Sequence, residues 1–205
     1  MSHDVPPQPV FAQPLPVEAS PEVLRFLALR RSSSAGTLRA PAPSPEDLQT
    51  LLRLAARAPD HGKLAPWRFV ILEGEGKAAF VAGLEAIARD RPDAPRANNK
   101  LFKLRAPPMS VAVISHFTDG GEIPRWEQEL SAGAVCTIMT IAAQAMGYGA
   151  NWITDWYAYD DRATALLGLV DGEHVAGFIH LGTPSEPPQE RVRPDVETLT
   201  THWRS

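Results

Sequence analysis

Apolar positions recur at intervals of three and four residues near the start of the chain, and again after a short polar gap. Both stretches predict helices. The first opens at Ser20 with Pro21 in its first turn, carries Val23, Leu24 and Leu27, and ends near "LRR". The second opens at Ser44, Pro45 and Asp47, carries Leu48, Leu51, Leu52 and Ala55, and is stopped by Pro59. The period then changes. "RFVILEG" (68–74), "MSVAVIS" (109–115) and "HVAGFIHLG" (174–182) are short β-rich apolar runs bounded by turn residues, which predicts three strands. Between the first two lies a helix with Phe80, Val81, Leu84, Ile87 and Ala88 on one face. A long helix over 127–146, a strand-like "GANWIT" and a helix around 161–168 precede the third. The elements mix without strict β-α-β alternation and no repeat recurs, so the expected class is α+β with a central sheet.

The most apolar stretch, "LSAGAVCTIMTIAAQAMG" (130–147), reaches only the lower edge of membrane-spanning length and carries Ser131, Thr137, Thr140 and Gln144. Its acidic lead-in, Glu127 and Glu129, and its Gly147 stop suit a helix buried in a globular core, and no membrane partner is expected. Cys136 within it reads as a small buried hydrophobe.

Composition narrows this further. The 205 residues suffice for one domain with a sizeable core, and 44% hydrophobic with 21% charged residues is ordinary for a globular protein. A net charge of −4 argues against a nucleic-acid binder. A lone cysteine excludes an internal disulfide and fits a reducing, cytoplasmic setting. Residues 1–20, "MSHDVPPQPVFAQPLPVEAS", lack the basic and apolar regions of an export signal and read as a flexible Pro-rich tail. Residues 21–205 form the expected domain, closing with a Pro-, Glu- and Arg-rich loop (183–194) and a short tail.

Several chemistries are missing. There is no GxxxxGK[ST] loop, and "EGEGK" (73–77) lacks the third glycine of a dinucleotide loop, so a tight strand-to-helix turn explains its glycines. Histidines at 3, 61, 116, 174, 180 and 202 show no metal-ligand spacing, and no GxSxG elbow has a plausible acid and base. No metal ligand and no catalytic side chain is assigned. Three clusters suit anion and ring binding instead. "RRSSS" (30–34) is either a solvated helix end or a grip of forked guanidinium and hydroxyl donors on an anion. "RAPDHGKLAPWRF" (57–69) suits a pocket rim, or else Trp67 is core and the charges are solvated. "GYGANWITDW" (147–156) offers close backbone approach to a flat ligand, or a helix stop before a buried strand.

Together and in this order the three clusters resemble the nitroreductase-like FMN flavoproteins. "RAPPMSVAVI", "PRWEQELSAGAV", "AAQAMGYGANWIT" and "GFIHLGTP" also match, so the resemblance runs from about residue 21 to 185. It implies an α+β homodimer, its central mostly antiparallel sheet flanked by helices, with FMN at the interface. NADH or NADPH would be the reductant and a nitroaromatic, quinone or similar small molecule the acceptor, with the chemistry carried by FMN; the alternatives are a specialised flavin oxidoreductase on an unknown metabolite and a flavin-binding protein without turnover. The resemblance assigns Arg30, Arg31 and Ser32 to the flavin phosphate and ribityl chain, Arg57 and His61 to FMN, and Trp152, Ile153 and Thr154 to the redox edge of the ring. It assigns Ala142, Ala143, Gln144, Ala145, Met146 and Gly147 to NAD(P)H. A C-terminal basic residue that reaches the phosphate corresponds to Arg191 or Arg193, and Arg193 is taken as the candidate. The chain departs from the family pattern at Ser34, where many members have Lys, at Lys63, where Asn is common, and at Asp155, where close relatives have Gly. An acid beside the flavin would oppose an anionic reduced ring.

Overall fold

The computed structural model describes residue 3, residues 5–118 and residues 120–204. Strands β1 (Leu38–Arg39), β2 (Trp67–Glu73), β3 (Met109–His116), β4 (Gly149–Ile153) and β5 (Glu173–Pro184) form one sheet in which every pairing is antiparallel. β5 is long enough to serve two neighbours along one edge. It pairs with β3 on one side, and on the other with β4 and then, at its end, with β1. The expected α+β sheet flanked by helices is what the chain adopts.

Strand periodicity explains the two layers. Met109, Val111 and Val113 of β3, with Ile179 and Leu181 of β5, turn to one face and pack on helices α2 (Pro45–Ala55) and α6 (Arg125–Ala145). Ala112, Ile114 and Phe178 turn to the other and pack beneath α3 (Gly74–Arg89), α5 (Phe102–Arg105) and α7 (Asp161–Ala165). A strand covered on both faces needs no polar alternation, which is why β3 reads as a continuous apolar run. Cys136 is buried in the first layer, and burial pushes its thiol up to about 12.

Boundaries differ from the sequence pattern for local reasons. α6 begins two residues early because Pro124 precedes Arg125 and its fixed φ suits a helix start. α2 ends at Ala55, short of Pro59, through turns closed by the Arg57 and Ala58 N–H groups. The helix expected to reach 168 stops at Ala165, and Gly168 takes φ 68° in the turn that follows. Helix α4 (Ala94–Lys100) and α5 lay in a polar, proline-containing stretch without a clear stripe. Helix α1 (Pro21–Leu29) forms where its N-cap Ser20 accepts from the Val23 N–H, yet none of its residues is buried. Ahead of it, Pro6 accepts from Arg53 at 2.9 Å and His3 lies 3.7 Å from Asp47, so His3 and Pro6 lie against α2. Among the described residues no helix is long and apolar enough to cross a membrane.

Candidate functional site

α1 ends because Arg30 turns extended (φ −61°, ψ 140°). The chain then runs beside the start of β4, where the Ser33 N–H donates to the Ala150 carbonyl at 3.0 Å and Asn151 donates back to the Ser33 carbonyl at 2.6 Å. That approach requires glycine at 149: a Cβ there would fall 2.5 Å from Leu38 and 2.9 Å from the Ser33 hydroxyl. The structure thus joins "RRSSS" to "GANWIT".

Arg30 lies against the last turn of α6. Its Nε donates to Gln144 Oε1 at 3.1 Å and its Nη2 to Ser32 Oγ at 3.2 Å. A guanidinium carries five N–H donors, so most of the fork stays free. Ser32 Oγ accepts that bond and keeps its own hydrogen. Gln144 Nε2 is buried and has no partner among the described residues. Arg31 points elsewhere, donating to the Gln189 carbonyl at 2.8 Å and lying 3.6 Å from Glu190, which also holds Arg193 at 3.0 Å. Ser34 and Arg191 are exposed.

Trp152 is 40% exposed and lays its indole across Gly177, donating to the Ala176 carbonyl at 3.2 Å. A Cβ on Gly177 would sit 2.0 Å from that nitrogen, so this pairing demands glycine. Ile153 ends β4, and Thr154 accepts from Tyr159 at 2.9 Å. Asp155 is tied down: Lys103 donates to it at 3.3 Å, and it accepts from the Trp156 N–H at 2.9 Å.

The 57–67 loop forms a separate wall. Asp60 organises it by accepting from the Leu64 and Ala65 N–H groups at 3.2 and 2.7 Å. Gly62, Lys63 and Ala65 all adopt positive φ. Lys63 stands at φ 56°, in the left-handed region that asparagine tolerates better than lysine. His61 bonds Glu127 at 2.6 Å, and Trp67 donates to Ser131, which donates to the Pro59 carbonyl. These contacts join "PDHGKLAPW" to "PRWEQELS". Arg57 is exposed and lines a cavity of about 680 Å³ with Gln8, Gln49, Leu52, Arg53 and Ala56. No side-chain hydrogen bond within the described residues links Arg57 or His61 to Arg30.

In the stretch 142–147, Ala142, Ala143 and Met146 are buried in the core while Ala145 and Gly147 are exposed. Sequence reasoning missed the bonding roles of Asn151, Glu127 and Ser131, and the contact between Gln144 and Arg30. The first three lay in quoted motifs, which was the available signal; the last spans 114 positions and left none.

The chain matches the family described as "Nitroreductase family" over residues 28–183. It is 35% identical over 187 residues to the Escherichia coli (strain K12) protein named "Putative NAD(P)H nitroreductase YdjA", covering 89% of this chain and 100% of that one. A nitroreductase-like family protein from Bacillus cereus superposes with a TM-score of 0.79 at 20% identity, over 93% of this chain and 100% of its own. A nitroreductase with bound FMN from Bacteroides fragilis superposes at 0.70 with 19% identity, over 89% and 100%.

Proposed function

The chain belongs to the nitroreductase family, and on that premise we propose that it is an FMN-dependent NAD(P)H oxidoreductase acting on an electron-poor small molecule. The supporting observation is the cluster at the end of α6. Arg30, Ser32 and Gln144 are hydrogen-bonded neighbours with donors left unpaired among the described residues, which is the chemistry a phosphate monoester needs. The residues therefore fit FMN. When bound, the cofactor supplies two-electron transfer from NADH or NADPH to an acceptor such as a nitroaromatic or quinone, in ping-pong order.

The protein's own part is binding, orientation and electrostatics. Arg30 and Ser32 hold the phosphate; Arg31 and Arg193 surround Glu190 and add positive charge nearby. The backbone from Trp152 to Thr154 would line the flavin ring, with the indole braced on Gly177. Asp155 is neutralised by Lys103, which removes the charge repulsion its position raised and keeps turnover open. The reductant's contact with residues 142–147 is confined to the exposed Ala145 and Gly147.

The active form is a homodimer with the cofactor at the interface. Two features support it. α1 leaves Val23, Leu24, Leu27 and Leu29 exposed, an apolar stripe that the described residues do not bury. Residues 186–204 are exposed throughout, including Val192 and Trp203, as an arm crossing to a second subunit would be. The dimer also explains the separate wall, with Arg57 and His61 reaching the cofactor across the interface. A cytoplasmic location follows from the supply of reduced nicotinamide.

The test begins with the absorbance of the purified protein. Bound FMN should give a yellow solution, bleached by NADPH without air, and NADPH consumption should accelerate with a nitroaromatic. Bleaching without any acceptor turnover would remove the nitroreductase half of the reading. Sedimentation should give a dimer; a monomer that retains FMN overturns the interface.

A further inference from the structure

Gln144 lies in the last turn of α6 with its backbone in the helix and its amide aimed at Arg30. Its two polar atoms have different fates. Oε1 accepts from Arg30 Nε at 3.1 Å, and Nε2 is buried with no partner among the described residues. A buried N–H₂ left unpaired costs free energy, and one beside a cation with unspent donors can recover that cost from a partner outside the chain. Its surroundings say what that is. Its neighbour is a guanidinium already fixed by Gln144 on one side and by Ser32 on the other, with the rest of its donors unspent. A neutral amide donor beside a cation recruits an anion.

We propose that Gln144 belongs to the phosphate grip: Oε1 holds the Arg30 fork in place and Nε2 donates to the phosphate that Arg30 binds. This rests on the reading of Arg30 and Ser32 as an anion site. It also reassigns Gln144 within the stretch 142–147. Three side chains of that stretch, Ala142, Ala143 and Met146, face the core and are closed to any ligand. Gln144 alone brings polar atoms to Arg30. Phosphate is common to FMN and to the nicotinamide dinucleotide, and FMN is favoured because Arg30 and Ser32 are the residues the family resemblance gives to the flavin phosphate. Gln144 is thus a positioning residue through Oε1 and a binding residue through Nε2.

The two roles separate in two variants. Gln144→Met removes both polar atoms at similar volume. Gln144→Glu keeps an acceptor for Arg30 but replaces the donor with a charge that repels phosphate. Each is compared with Arg30→Ala and the unmodified protein by titrating flavin-stripped full-length chain with FMN and with riboflavin, which lacks the phosphate. Gln144→Met should weaken FMN about tenfold and riboflavin less than twofold. Gln144→Glu should weaken FMN at least as much, leave riboflavin unchanged, and recover part of the loss at high salt as the repulsion is screened. Equal losses for FMN and riboflavin would make Gln144 merely structural and overturn the proposal. An unchanged FMN affinity with a raised KM for NADH or NADPH would overturn it in favour of a nicotinamide contact. Arg30→Ala keeps the outcomes distinct. If it weakens FMN selectively while both Gln144 variants bind normally, only this inference fails; if it leaves FMN against riboflavin unchanged, the anion site itself fails.

Discussion

Gln144 and His180 each bury a nitrogen with no partner among the described residues, but in opposite surroundings. Gln144 Nε2 is buried at a helix end, on a side chain whose Oε1 accepts from the part-buried Arg30. His180 is fully buried in β5, bonded through Nδ1 to Ser110 at 2.7 Å and stacked on Phe178. Burial, reinforced by the charges of Lys77 and Lys103, pushes its imidazole down to about 3. An unsatisfied polar group costs about 1–3 kcal/mol in either place. On the proposed reading, only the one beside Arg30 recovers that cost when a ligand binds, so the same defect would mark a binding site there and a liability in the core.

The largest test of the contrast is acid. A histidine whose folded pKa lies below the ordinary value of about 6.5 contributes stability that is complete above that value and is lost as pH falls toward 3. Urea unfolding should weaken from pH 7 to pH 5 with a slope approaching about 1.4 kcal/mol per pH unit. His180→Gln should flatten that slope even if it is less stable at pH 7. A pH-independent midpoint for the unmodified chain would mean that the core nitrogen is not sealed.

At the rim, Arg30→Ala should weaken FMN about 10- to 100-fold, from the 1.5–3 kcal/mol typical of a charged hydrogen bond. Arg31→Ala should change it less than threefold, because Arg31 is already spent on Gln189 and Glu190. Equal effects in flavin-fluorescence titrations would erase the distinction between neighbouring arginines. The smallest effect sharpens the core side. Tyr157 is also fully buried, its hydroxyl without a partner among the described residues, and burial raises its pKa. Tyr157→Phe should be neutral or stabilising by up to about 1 kcal/mol, with FMN affinity unchanged, since it removes a buried group that nothing satisfies. A clear fall in thermal midpoint would show that the hydroxyl has a partner after all.

How far the sequence carried depended on distance along the chain. The strands 68–74, 109–115 and 174–182 and the helices of Leu48, Phe80 and Val135 were legible because burial repeats with the period of the element. α4 and α5 were not, since their stretch is polar and its burial comes from single residues such as Leu101 and Leu104. "RRSSS" was legible as a candidate, but nothing local separated Arg30 from Arg31.

Periodicity, caps and turn residues by themselves determined the class, most of the elements and the order of the three candidate clusters, because those signals act within a few residues. Tertiary structure alone decided that Arg30 meets Gln144 while Arg31 turns to Gln189, and that Lys103 pairs with Asp155. Each of those depends on antiparallel pairing of β4 with β5 and on where α6 ends above it, and so on side chains that only the folded chain brings within hydrogen-bond reach.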